Sequence, residues 1–276
     1  DLWPDIKEYS KQYNTPFSFA NDDNAKLFSP IDEETVDLHF KWMKEYGIDG
    51  VFMQRFVNEV KQSNPKGKAH FNKVLQNALN AANKYNKAIC VMYDLSGCTS
   101  KDLGYIQQDW EELQRLFSLF SNTINPNYLR HNKKPLLALW GVGFKVGRKY
   151  TISDVDTLIE KIKGPTKKVS IMLGVPYYWR TLTKDTENDT SLYAVIKKCD
   201  IIMPWAVGRY NQNNYKKVAL NSLPKDIQWC KVNKVDYVPI VFPGFSWGNL
   251  KNNTAIYNYI PRNGGDFLWK QVAGAK

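Results

Sequence analysis

Asp94 closes an apolar run, Ala88-Ile89-Cys90-Val91-Met92-Tyr93-Asp94. A carboxyl group there can bind a hydroxyl, orient a neighbour or exchange a proton. Arg55 stands near the end of a second run, Gly50-Val51-Phe52-Met53-Gln54-Arg55-Phe56. Its planar fork can hold hydroxyls or a carboxylate. Trp140, Tyr178, Trp205 and Trp247 stand at or beyond the ends of four further runs, and Arg209 follows Trp205 closely. Flat rings pack on the apolar face of a pyranose, so rings, forks and a carboxylate gathered together predict the lining of a saccharide cleft. Each residue also has a structural alternative. Asp94 can tie the turn Leu95-Ser96-Gly97, Arg55 can enter a buried ion pair, and any single ring can belong to the core.

Cleavage of a glycosidic bond generally uses two carboxyl groups, one acidic and one basic. Asp94 is the one acidic residue directly at the carboxyl end of a confident run, and it is the catalytic candidate. Glu59 reads as a solvated loop residue, and Asn58 and Asn249 are weaker loop candidates. Tyr177 and Trp179 flank Tyr178, and Arg180 joins Arg209 as a residue that can close a rim. His39, beside Phe40 and Trp42, reads as a packing histidine, and His70 and His131 have no partners at triad spacing. The four cysteines, Cys90, Cys98, Cys199 and Cys230, include no C-x-x-C pair, so no metal site is expected. No organic cofactor is expected either. Asn188-Asp189-Thr190 and Asn252-Asn253-Thr254 fit the glycosylation sequon.

The elements that must hold these residues follow from the runs themselves. The remaining four are Pro135–Trp140, Val169–Val175, Ile201–Trp205 and Tyr237–Phe242. They recur roughly every 30 to 50 residues, the size of one βα unit. Strands buried on both faces read as continuous apolar runs, and a parallel barrel gathers its ligand groups at their carboxyl ends. An α/β fold of the (β/α)8 TIM-barrel type is therefore predicted, as a single domain over 1–276. A closed barrel needs eight strands and six are evident. An open doubly wound sheet is the alternative, but the glycines of Gly141–Gly147 lack the dinucleotide-binding spacing.

Between the runs lie helical stretches. Ser29-Pro30 signals a start, and Val36, Phe40 and Met43 form a stripe behind it. Further helices are predicted over about 70–85, after Thr99 or Ser100, and near 154–162, 191–197, 225–233 and 265–273. The aromatic opening, Asp1 to Phe28, predicts no regular element.

Composition bounds the partners. The chain has 276 residues, 43% of them hydrophobic, enough for a large core. No apolar run approaches the ~20 residues that span a bilayer. The net charge is +11, from 38 basic and 27 acidic residues. The lysines are scattered, and the pairs Lys133-Lys134, Lys167-Lys168 and Lys197-Lys198 precede strands, away from the usual site. A solvated face is the expectation, not a nucleic-acid surface.

Several segments together resemble a bacterial group related to glycoside hydrolase families 71 and 99. They include Tyr46-Gly47-Ile48-Asp49-Gly50, Met92-Tyr93-Asp94-Leu95-Ser96-Gly97, Tyr178-Trp179-Arg180, Pro204-Trp205 with Val207-Gly208-Arg209-Tyr210, and Phe242-Pro243-Gly244-Phe245-Ser246-Trp247. The resemblance implies a (β/α)8 barrel and O-glycosyl hydrolysis of a polysaccharide or glycan, with endo-α-mannosidases among the relatives. It also implies a first strand and a last strand that this chain is expected to lack. The last of these carries the family's catalytic glutamate pair, which transfers to no residue here. A non-catalytic carbohydrate-binding barrel is therefore the alternative function. A secreted or periplasmic location is the expectation, because polymeric glycans are met there.

Overall fold

The computed structural model describes residues 3–251 and 259–275, with Asn249 and Leu250 described by their backbone alone. The sequon at Asn252 and the side chain of Asn249 lie outside the described residues. Two compact units divide the chain. The first holds the described residues up to Asp94 together with Lys101–Ala138, and the second holds Leu95–Ser100 together with the described residues from Leu139 onward.

The first unit opens with an antiparallel hairpin of β1 (Tyr13–Ser18) and β2 (Asn24–Leu27). The irregular opening expected from sequence is thus corrected. Tyr13, Thr15 and Phe17 are good strand formers at alternate positions, and Asp22 turns the chain at φ 65°. Helix α1 (Glu33–Glu45) follows and buries the predicted Val36, Phe40 and Met43. It starts later than Ser29-Pro30 signalled. Asp32 takes the N-cap position, and its carboxylate accepts from the Tyr13 hydroxyl at 2.9 Å instead of capping the helix. His39 on α1 packs as expected, with Nε2 2.6 Å from the Tyr9 hydroxyl.

Next come β3 (Gly50–Phe56), α2 (Val57–Val60), α3 (Pro65–Tyr85) and β4 (Ala88–Asp94). Helix α3 begins ahead of its apolar stripe, because the Asn64 side chain accepts from the Gly67 N–H at 3.0 Å and Pro65 suits the first turn. β3 and β4 pair in parallel, from Gly50 opposite Ala88 to Phe56 opposite Asp94. Helix α4 (Leu103–Phe117) precedes a hairpin of β5 (Arg130–His131) and β6 (Lys134–Trp140). β6 lies beside β4. Neither Thr99 nor Ser100 caps α4. Asp102 holds the N-cap position, and the Ser100 hydroxyl bonds Asp154 at 2.7 Å.

In the second unit α5 (Ile152–Lys163) starts at a capping box between Thr151 and Asp154. Then follow β7 (Ser170–Pro176), α6 (Ser191–Lys198), β8 (Ile201–Trp205), the single turn α7 (Tyr215–Lys217), α8 (Leu223–Asn233) and β9 (Asp236–Tyr237). All seven residues of β7 are buried, as a strand covered on both faces requires. β7, β8 and β9 pair in parallel, with Pro176 opposite Trp205 and Ile202 opposite Tyr237. The run Tyr237–Phe242 is strand only at its start. Val238 still donates to Ile202 at 2.8 Å, but Pro239 has no N–H to continue the ladder. The unit closes with β10 (Phe245–Ser246), α9 (Trp247–Leu250), β11 (Tyr259–Ile260) and α10 (Asp266–Ala275), of which β10 and β11 pair antiparallel.

The fold is α/β, a mostly parallel sheet with flanking helices. Among the described residues no strand pairs on the outer side of β3 or of β9, so no closed barrel forms. No described helix is long and apolar enough to cross a membrane.

Candidate functional site

Alternation along β3 and β4 sorts the first unit's candidates onto two faces, because successive strand side chains point opposite ways. On one face Gln54 Nε2 donates to Asp94 Oδ2 at 2.5 Å. Asp94 is buried, at 5% exposure, so Gln54 helps fix the orientation of the carboxylate. On the other face lie Arg55 and Tyr93. Arg55 Nε and Nη2 donate to the two oxygens of Asp109 on α4 at 3.0 and 2.8 Å, and Nη2 also donates to Asn72 Oδ1 at 2.9 Å. The Tyr93 hydroxyl donates to Asp109 Oδ2 at 2.5 Å. Arg55 is 2% exposed. The expectation that it lines a cleft is corrected: its fork binds a helix carboxylate inside the first unit.

The second unit gathers rings at its strand ends. Trp140, the last residue of β6, and Trp205, the last of β8, meet edge to face with centroids 5.3 Å apart and planes at 78°. Gly174 on the intervening β7 makes room for them. A Cβ there would lie 2.4 Å from Trp140 Cδ1, so only glycine fits without displacing the ring. Phe144 packs on Trp140 at 5.2 Å. The Arg148 guanidinium lies 5.5 Å from the Trp140 ring and 5.0 Å from the Phe144 ring. Arg148 is anchored through Nε to the Gly141 carbonyl at 3.1 Å and through Nη1 to Ser96 Oγ at 3.3 Å.

After β7 the loop is tied by Asp185. Its carboxylate accepts from the Tyr177 and Tyr178 N–H groups at 3.4 and 3.2 Å and from Arg209 Nε at 2.7 Å. Arg209 is thus half-buried in an ion pair that shapes the loop bearing Tyr178. The Tyr178 hydroxyl accepts from Lys184 Nζ at 2.9 Å, and Nζ lies 4.3 Å from the ring centroid. Trp247 is half-buried, with Phe245 6.3 Å away and Lys251 Nζ 4.9 Å from its ring. Arg180 pairs with Asp226 on α8 at 2.5 Å. Burial lifts the Asp226 carboxyl above the ordinary range, and the Arg180 charge and hydrogen bond partly offset this.

Beside this pair a cavity of about 30 Å³ opens among Tyr177, Tyr210, Tyr237, Asp226, Ile240 and Gln271. Burial raises the phenol pKa values of Tyr177, Tyr210 and Tyr237, so all three stay protonated donors at neutral pH. A space of that volume suits one or two waters, not a sugar.

Within the second unit, then, Trp140 and Trp205 are brought into contact, and Tyr178 and Arg209 share the loop held by Asp185. Asp94 and Arg55 belong to the first unit. Sequence reasoning missed Arg148, Lys184 and Asp185. The glycine-spaced loop before Arg148 was the one available signal, since glycines mark a chain held close to its neighbours.

Among solved structures the chain is similar to the GH99 endo-alpha-mannosidase of Bacteroides thetaiotaomicron. The identity is 14%, the TM-score 0.59, and the match covers 90% of this chain and 68% of that one. A second similar structure is a glycoside hydrolase-like protein, at 12% identity and TM-score 0.61, with 100% of this chain and 78% of that one covered. The fold is GH99-like. No family model matches the sequence, and no curated protein does. At these identities the likeness is one of fold. The resemblance noted from the motifs therefore agrees with the backbone, and the strand arrangement is that of a TIM-barrel-type protein without barrel closure among the described residues.

Proposed function

We propose that this protein binds a polysaccharide or glycan and hydrolyses its O-glycosidic bonds. The observation that carries the reading is the near-perpendicular Trp140–Trp205 pair at the ends of β6 and β8, with Gly174 on the intervening β7 leaving room for the Trp140 ring. Edge-to-face ring pairs contribute about 0.5–1.5 kcal/mol beyond their burial, so these indoles are pre-organised before a ligand arrives. Ring-lined strand ends are where a fold of this type keeps its ligand site. The GH99-like fold adds the reaction class as an analogy.

Within this reading Asp94 is the acid–base candidate, oriented by Gln54. Trp140, Tyr178, Trp205 and Trp247 supply ring surfaces, and Arg209 sets the Tyr178 loop through Asp185. Arg55 acts on structure through Asp109. The setting proposed is a secreted or periplasmic one, where polymeric glycans are available.

One observation favours the non-catalytic alternative. Asp94 is the only carboxylate at the last residue of the described parallel strands, and glycoside cleavage generally needs two. A panel of mannan and xylan oligosaccharides, measured for both equilibrium binding and reducing-end release, separates the readings. Binding with turnover supports the hydrolase, binding without turnover supports the binding protein, and the absence of both overturns the saccharide reading.

A further inference from the structure

Three of the rings singled out above carry a cation, and all three belong to the second unit. Arg148 lies over Trp140, Lys184 over Tyr178 and Lys251 over Trp247, at 5.5, 4.3 and 4.9 Å from the ring centroids. The neighbouring arginines are neutralised: Arg180 by Asp226 and Arg209 by Asp185. The three ring-seated cations differ. Among the described residues none of them forms an ion pair with a carboxylate.

A ring face attracts a cation through its quadrupole but leaves the formal charge in place. It also replaces part of the water around that charge. Such a cation is fixed, partly dehydrated and still attractive to an anion. Arg148 illustrates the point. Its five N–H donors make two hydrogen bonds to described residues, to Gly141 O and Ser96 Oγ. The rest of the fork can meet a carboxylate or sulfate in a two-point contact. The loops carrying Arg148 and Lys184 are also joined. Lys145 N donates to Asp185 O at 3.0 Å, and Glu187 N donates to Gly143 O at 2.9 Å. The Arg148 and Lys184 positions are therefore held together by backbone bonds, not left to independent loops.

We propose that the glycan recognised here is an acidic one, bearing carboxylate or sulfate groups, with Arg148 and Lys184 as its anion-binding residues. This deepens the saccharide reading and rests on it. Each ring–cation pair then serves one sugar unit, the ring edge or free face meeting the pyranose and the cation meeting its charged substituent. The net charge of +11 favours the encounter with such a polymer.

The test uses matched polymers and the whole chain. Binding is measured calorimetrically for polygalacturonate against the same polymer with its carboxyls reduced, and for a sulfated galactan against its desulfated form. At least a tenfold preference for one charged member of a pair is expected, and the pair that shows it identifies the anion as carboxylate or sulfate. The double variant Arg148→Gln/Lys184→Gln is expected to bring the ratio of charged-polymer to neutral-polymer affinity to about one, whatever it does to neutral-polymer binding itself. Arg148→Lys, which keeps the charge and loses the fork, is expected to retain part of it, and thermal unfolding of each variant confirms that it folds. Equal binding of charged and neutral partners overturns the acidic specificity and leaves the saccharide reading intact. A preference that survives the double variant in folded protein overturns the roles of Arg148 and Lys184. Equal affinity for polyglutamate reduces the effect to general polyanion attraction and overturns the proposal. Failure to bind any of these four polymers overturns the acidic specificity, and failure on the mannan and xylan panel as well overturns the saccharide reading.

Discussion

The Trp140 indole occupies the space in which a side chain on Gly174 would begin, 2.4 Å from the position of its Cβ. Gly174→Ala must therefore move the ring or the strand. Overpacking of this kind costs about 1–3 kcal/mol. Urea denaturation is expected to show a loss of that size, and near-ultraviolet dichroism a changed Trp140–Trp205 signal. Glycan affinity is expected to fall with it. An alanine variant of unchanged stability and ring signal counts against a closely packed strand end.

Asp109 is the hub of a buried polar cluster, accepting from Arg55 and Tyr93 at 2.5 to 3.0 Å. Asp109→Ala leaves the Arg55 charge buried without its partner. A destabilisation of about 3–5 kcal/mol is expected. If Arg55 is structural, the variant protein that still folds keeps its glycan affinity. Weakened binding in folded Asp109→Ala would instead return Arg55 to the ligand site.

Asp226 makes a pH prediction with a definite sign. Its carboxyl titrates above the ordinary aspartate value of 3.8 in the folded protein, because burial outweighs the help from Arg180. The unfolded chain ionises first as the pH rises, so this group lowers stability progressively from about pH 3.8 up to its folded value. Relative to wild type, Asp226→Asn is expected to gain stability between pH 3 and pH 7. Denaturation midpoints measured across that range check it, and a gap that moves the other way refutes the burial argument.

Asp94→Asn separates chemistry from binding. An amide keeps the size of the group and loses its proton exchange. Under the hydrolase reading, turnover is expected to fall about 100-fold or more, and oligosaccharide affinity to change by less than about threefold. Unchanged turnover in a variant that folds would remove Asp94 from the reaction.

Much of this architecture was legible along the chain. Strands Gly50–Phe56, Ala88–Asp94 and Ile201–Trp205 begin and end where their apolar runs do. Long buried runs leave little doubt about a parallel sheet, since few other structures bury both faces. The same continuity hides which side chain faces which way. Arg55 follows apolar residues on either side of the pleat, and its partner Asp109 lies 54 residues further on. Only tertiary packing reveals that pair. The roles of Lys184 and Arg148 were hidden for a related reason. They sit on loops whose path is set by backbone bonds such as Lys145 to Asp185, and no periodicity encodes these.

The near-perpendicular indoles of Trp140 and Trp205 have an optical consequence. Transition dipoles this close mix into exciton states whose circular dichroism depends on the angle between them. The other such pair among the described residues, Trp179 with Trp229, has a fully buried Trp179. A small molecule that tilts Trp140 or Trp205 would therefore alter one couplet against a steady background, and the protein carries a label-free readout of occupancy in its own chromophores.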